Sequence, residues 1–337
     1  MRQTAFVAAL LVFGSSAFAA DPQLMTMVMP DARIMAGMNA TKARSSPFGQ
    51  FAVSKVSLLG AQMQPLITAT GFDPFQDVTE VLAATTADPS KFTGILLVRG
   101  NFNPDKIGAL VTGRSGVLVE PYDGSTLISL TSPNSPNNNN PMAVAFMGSS
   151  IAVAGDLASV KAAVDRNGGA VAIDPALAAQ VSQLSSTEDA WVASSASLAS
   201  LIPASAGAPT TAGPAAQVMP ILKSIQSFSG GLNFADNIQL SAQAVTNSPQ
   251  NGAALGAVLQ LGLNLLSMTG TNSAQASSLT QFAQTVRVTP NGPAVSISAS
   301  IPEAQAEALV NQIMKPAVPA AVAGSSRPLR ERRPANN

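Results

Sequence analysis

Asp73, Asp77 and Glu80 are the densest group of carboxylates in the chain. Side chains of this type at this spacing can supply an acid and a base for glycoside cleavage, or oxygen ligands for a hard cation. Their neighbours favour a structural use. Asp73 precedes Pro74, a pair that opens helical turns, and an acidic residue at Asp77 complements a helix N-terminus. Glu188 and Asp189, ahead of Trp191, read as a solvated turn, and Lys161 reads as a surface lysine on a helix. Met25, Met27, Met29, Met35 and Met38 form a thioether-rich stretch that can bind copper(I). Copper sites generally add histidine or cysteine, however, so core packing is the expected role.

The chain contains no histidine and no cysteine. Histidine general bases, Ser-His-Asp arrangements, thiolate nucleophiles, zinc sites built on these ligands and disulfides are all excluded. The motifs Gly-x-Gly, Gly-Lys, Gly-x-Ser-x-Gly and Ser-x-x-Lys are absent too, which removes the common nucleotide-binding loops and serine elbows. No catalytic, cofactor-binding or metal-ligating residue is assigned. Eighteen basic side chains balance eighteen acidic ones, and Trp191 and Tyr122 are the only members of their types. A nucleic-acid partner is therefore not expected. Charged residues make up 11% of the chain, against about 25% in ordinary globular proteins.

The N-terminus supplies an address. Arg2 precedes the apolar run Ala5 to Phe13, and Ala17-x-Ala19 follows, which predicts a signal peptide over 1–19 cleaved between Ala19 and Ala20. The apolar run falls short of the ~20 residues a membrane helix needs, and no cysteine follows it to carry a lipid. The mature chain is thus expected in the periplasm or secreted, without a transmembrane helix.

Arg33 to Asn39 reads as a strand. Ser46-Pro47 opens a helix through Phe48, Phe51 and Val56, and a second helix, Gln64 to Thr70, stops at Gly71. After the turn Phe72 to Val78 come the apolar runs Val81 to Ala84 and Phe92 to Val98, then a helix capped by Asn103-Pro104. Val117 to Val119 and Thr126 to Leu130 form a hairpin around Pro121-Tyr122-Asp123-Gly124, and Ser132 to Pro141 is an exposed loop. Asp174-Pro175 opens another helix, with a strand at Asp189 to Ala193. A strand-turn-strand-helix unit recurs at Met142 to Val164, where Asp156 caps the helix, at Gly231 to Leu266 and at Val286 to Met314.

These readings predict an α+β fold of duplicated antiparallel sheets with helices packed on one face. The mature chain divides into halves 20–174 and 175–315, with a linker or long loop at 203–214 and a disordered Arg/Pro-rich tail at 316–337. From Asn237 to Thr285 no residue is charged. Its apolar core, Ala253 to Met268, reads as a buried helix, or as a lid with Leu255, Leu259, Leu263 and Leu266 lining an apolar ligand site.

Met29-Pro30-Asp31-Ala32, Ser46-Pro47-Phe48-Gly49-Gln50-Phe51, Gly71-Phe72-Asp73-Pro74, Tyr122-Asp123-Gly124 and Ile151-Ala152-Val153-Ala154-Gly155-Asp156 resemble a family of bacterial secreted proteins without an assigned activity. That family is similar in layout to the periplasmic "LPAD"-opening domain family. The resemblance implies a duplicated α+β fold and carries over no functional residue. An exported, non-enzymatic protein with a binding or envelope-assembly role is expected, its partner an envelope protein. The alternative is a periplasmic carrier of an apolar or lipid-like ligand, and an acid-base hydrolase using Asp73 and Asp77 ranks third.

Overall fold

The computed structural model describes residues 20–87, 93–131, 141–201, 214–235, 237–269 and 274–313. The predicted signal peptide and tail, and nearly all of the Ser132 to Pro141 loop and the 203–214 linker, lie outside them. The strands are β1 (Ile34–Asn39), β2 (Val78–Thr85), β3 (Gly94–Gly100), β4 (Val117–Tyr122), β5 (Ser125–Leu130), β6 (Met142–Met147), β7 (Ile151–Asp156), β8 (Ala190–Ser194), β9 (Ile225–Phe234), β10 (Asn237–Thr246), β11 (Arg287–Asn291) and β12 (Ala294–Pro302). The helices are α1 (Pro22–Met27), α2 (Ala40–Ser45), α3 (Pro47–Thr70), α4 (Pro74–Asp77), α5 (Pro104–Val111), α6 (Leu157–Arg166), α7 (Pro175–Thr187), α8 (Leu198–Leu201), α9 (Pro214–Lys223), α10 (Pro249–Thr269), α11 (Ala274–Thr285) and α12 (Glu303–Ile313). Among the described residues no helix is long and apolar enough to cross a membrane.

The fold is α+β. All strands join one antiparallel sheet in the order β11-β12-β10-β9-β8-β1-β2-β3-β7-β6-β5-β4. The strands of the two halves meet at a seam where β1 pairs with β8, with Ala36 opposite Val192. Reading outwards from the seam, one half runs β1, β2, β3, β7, β6 and the other β8, β9, β10, β12, β11. Within each half the first three strands come in sequence and the last hairpin is reversed, so the halves share one strand order about a pseudo-two-fold axis at the seam. The β4–β5 hairpin is an addition at the edge of the first half.

Because side chains alternate across a strand, register decides what each half buries. Counted from the seam, Leu82, Leu97 and Val153 align across β2, β3 and β7, and all three are fully buried. The symmetry-equivalent positions on β9, β10 and β12 are Ser229, Gln243 and Ser296. On this face the first half carries the main core, closed by Leu24 and Met27 of α1, Val160 and Val164 of α6 and Leu177 and Val181 of α7. The opposite face carries α2 to α5 and α8 to α12 over smaller clusters around Phe102 and Phe146, Leu255 and Val295, and Ile238 and Ile301. Helices thus cover both faces of the sheet.

The difference between halves has a local origin. β7 ends at Asp156 and α6 starts at once; β12 runs to Pro302, three positions past the equivalent of Asp156. An odd extension reverses the face on which the next element leaves. So α6 closes the main core, whereas Ala306 of α12 packs on Ile238 and Ile301 on the other side. The serine face of the second half is left without an α6 counterpart.

The α+β expectation holds, but the expected duplicated sheets with helices on one face are instead one continuous sheet with helices on both faces, and local expectations change too. The two helices read at 47–56 and 64–70 are one helix, α3, which continues through Pro65 and ends at Gly71 with φ 74°. α1, capped by the Asp21 carboxylate, precedes the first strand. Asp189 is buried instead of solvated: its carboxylate pairs with Lys42 at 3.3 Å and accepts the Phe234 N–H at 2.8 Å.

Candidate functional site

α2 and α3 meet at a tight corner above β1 and β2. The Asn39 side chain caps α2 by accepting the Lys42 N–H at 2.9 Å. Ser46 Oγ accepts the Gly49 N–H at 2.9 Å and donates to the Ala43 carbonyl at 2.7 Å. A Cβ on Gly49 would sit 1.6 Å from that carbonyl oxygen, so only glycine allows this approach. The corner aims Phe48 at Phe234 of β9, the rings stacking at 5.9 Å.

Beneath it lies an apolar cavity of about 400 Å³. Met38 and Val81 form the floor, Phe48, Ala52 and Val53 one wall, and Pro74, Phe75 and Phe234 the others. A register shift between Val78 and Glu80 puts Val78 on the cavity side while Glu80 faces away. Met38, on a central strand of the twelve-stranded sheet, is 38% exposed. Among the described residues the one charged side chain on the lining is Arg44, whose Nη1 donates to the Val78 carbonyl.

The same floor continues along the strands. Met38 pairs with Val81, Ala36 with Ala83 and Ile34 with Thr85, and a second apolar hollow of about 440 Å³ opens over Ile34, Ala36, Ala83, Leu96 and Ala154. Its outer rim is Met142, 56% exposed and paired across β5–β6 with Leu130, 47% exposed. Both hollows lie on the face that carries α2 to α5, and with their floors adjoining along β1 and β2 they form a trough.

The residues singled out from sequence are dispersed. Asp73 caps α4 by accepting the Phe75 N–H at 2.9 Å, and Asp77 accepts the Asp73 N–H at 2.7 Å. Glu80 accepts the Asp21 N–H at 3.0 Å on the main-core side, where Asp21 pairs with Arg99. The three carboxylates therefore serve caps and an ion-pair network and do not converge on a shared space. Lys161 pairs with Glu120 at 3.6 Å and lies over the Tyr122 ring. Met25, Met27, Met29 and Met35 are core residues, while Met38 lines the trough. Among the described residues no group of three or more His, Cys, Asp or Glu can hold a metal.

The four leucines of α10 also separate. Leu255 is buried against Ile225 and Val295, with Leu259 packed beside it. Leu263 lines a groove shared with Gln260, Asn264 and Gln284, and Leu266 is 46% exposed. They do not line the trough. Phe48, Ala52, Phe75 and Phe234 do, and sequence reasoning missed them because their convergence depends on the seam. A usable signal existed in the alanines at 36, 83 and 154, small residues at strand positions where larger β-formers would have filled the space.

No family model and no curated protein sequence matches the chain. Among solved structures, crystal form I of TP0453 is similar at a TM-score of 0.44 and 8% identity, over 88% of this chain and 98% of that one. Crystal form III of TP0453 gives 0.48 and 8% over 87% and 99%. Crystal form IV gives 0.46 and 9% over 86% and 96%.

Proposed function

We propose that this chain is an exported binding protein whose ligand is an apolar or lipid-like molecule held in the trough over β1 and β2. The observation that carries this reading is the pair of hollows of about 400 and 440 Å³ on one apolar floor. Each is within the range of small-molecule sites, about 300–1,000 Å³. Uncovered apolar surface at the centre of a sheet is unfavourable in water by roughly 25 cal/mol per Å², and a ligand tail recovers that term.

The test starts from protein purified from the envelope fraction, extracted with organic solvent and analysed by mass spectrometry. The stripped protein is then titrated with the neutral probe N-phenyl-1-naphthylamine. A co-purifying apolar molecule and saturable probe binding, both lost in Ala52→Trp and Ala83→Trp, are expected. Absence of both from native protein would refute the reading. Export is checked by sequencing the N-terminus of the mature protein, expected to begin at Ala20.

A second reading is docking of an envelope protein on the outer rim, favoured by the exposure of Leu96, Leu130 and Met142. It predicts a partner captured reproducibly by native protein and lost in Leu130→Asp combined with Met142→Asp, with probe binding in the inner hollow unchanged.

A further inference from the structure

Arg44 stands where a tail-binding cavity would meet its ligand's head. Among the described residues it is the one charged side chain lining the 400 Å³ hollow, whose other described lining groups are aliphatic and aromatic. Lys42, two residues earlier on the same short helix, pairs with the Asp189 carboxylate. Arg44 has no described carboxylate partner; its recorded bond is from Nη1 to the neutral Val78 carbonyl. That bond anchors one arm of the guanidinium on the β2 backbone. A guanidinium carries five N–H donors in a planar fork suited to two-oxygen anions, so the anchored group keeps donors for a second acceptor.

Resting on the binding reading above, we infer that the ligand is an anionic amphiphile with its apolar tail in the hollow and its carboxylate or phosphate on Arg44. A cation beside an apolar cavity disfavours a wholly apolar occupant, because it would lose water without gaining an anion. An amphiphile satisfies both, its tail covering Met38, Phe48 and Val81 while its head forms charge-assisted hydrogen bonds. A favourable interaction of Arg44 with the end of α2 requires only a positive charge and gives no reason for a guanidinium over the cavity.

The experiment displaces N-phenyl-1-naphthylamine from stripped full-length protein with three single-tail probes of equal length: dodecanoate, dodecyl phosphate and dodecanol. At neutral pH at least one anion is expected to displace at a concentration tenfold or more below that of dodecanol. Whichever anion is preferred names the head. In Arg44→Gln that anion should fall to the level of dodecanol, with dodecanol itself unchanged. A measurement on native protein keeps the inference testable if Arg44→Gln does not fold. Lowering the pH through the carboxylate range should abolish any dodecanoate advantage, while an advantage of dodecyl phosphate persists. Equal displacement by all three probes overturns the assignment of Arg44 and leaves apolar binding standing. Failure of dodecanol and both anions to displace overturns the binding reading itself.

Discussion

Gly37 and Trp191 face each other across the seam, and the indole occupies the space where a side chain at 37 would stand. A Cβ there would lie 2.4 Å from Trp191 Cζ2, and Trp191 is 7% exposed, so the ring has little room to retreat. Gly37→Ala is expected to lower stability by about 1–3 kcal/mol, the usual cost of overpacking a core. A lower urea midpoint with red-shifted Trp191 emission would register it. Glu80 gives a pH prediction of opposite character. Burial raises its carboxyl above the ordinary 4.5, and the Asp21 charge adds to the rise, while the Asp21 N–H and the Arg99 charge oppose it. The native state holds this proton where the unfolded chain has released it. The contribution is therefore full below the unfolded value and lost as pH rises through the raised native one. Glu80→Gln, which keeps an acceptor for Asp21, should flatten the part of the stability profile that falls as pH rises above the ordinary 4.5, as measured by urea denaturation.

At the scale of elements, caps are where sequence and structure agree best. Ser46-Pro47, Asn103-Pro104, Asp156 and Asp174-Pro175 each open a helix where their side chains predict one, because capping is settled within four residues. Asp156 Oδ1 accepts the Ser159 N–H at 2.9 Å at the junction that sends α6 onto the main core. Asp156→Ala should cost about 1 kcal/mol, visible as a lower thermal midpoint. What escaped reading was settled further away. Pro65 argues locally for a break, yet α3 runs through it. The first half of β9, from Ile225 to Gly230, is rich in serine and glycine and shows no alternation, yet β8 and β10 pair with it on either side. The trough was illegible for the same reason, since Phe48 and Phe234 meet only after β1, β8 and β9 have aligned.

For the whole molecule, the seam decides cooperativity. β1 belongs to the core of the first half and pairs along its length with β8, whose Trp191 and Ala193 are buried in that same core. The halves at 20–174 and 175–315 should therefore unfold together. Trp191 emission and far-ultraviolet circular dichroism are expected to trace one coincident urea transition, and separated transitions would show that the halves fold independently.

The two outermost strands carry Pro121 and Pro290, the latter packed under Gly256 of α10. Proline is accommodated in a strand where its nitrogen faces solvent, so each border of the sheet lacks a donor that an incoming strand would need. A chain without cysteine, and so without disulfides to fix its borders, must complete its sheet beside copies doing the same. Two such copies meeting border to border find an incomplete ladder, and growth stops at one chain's width.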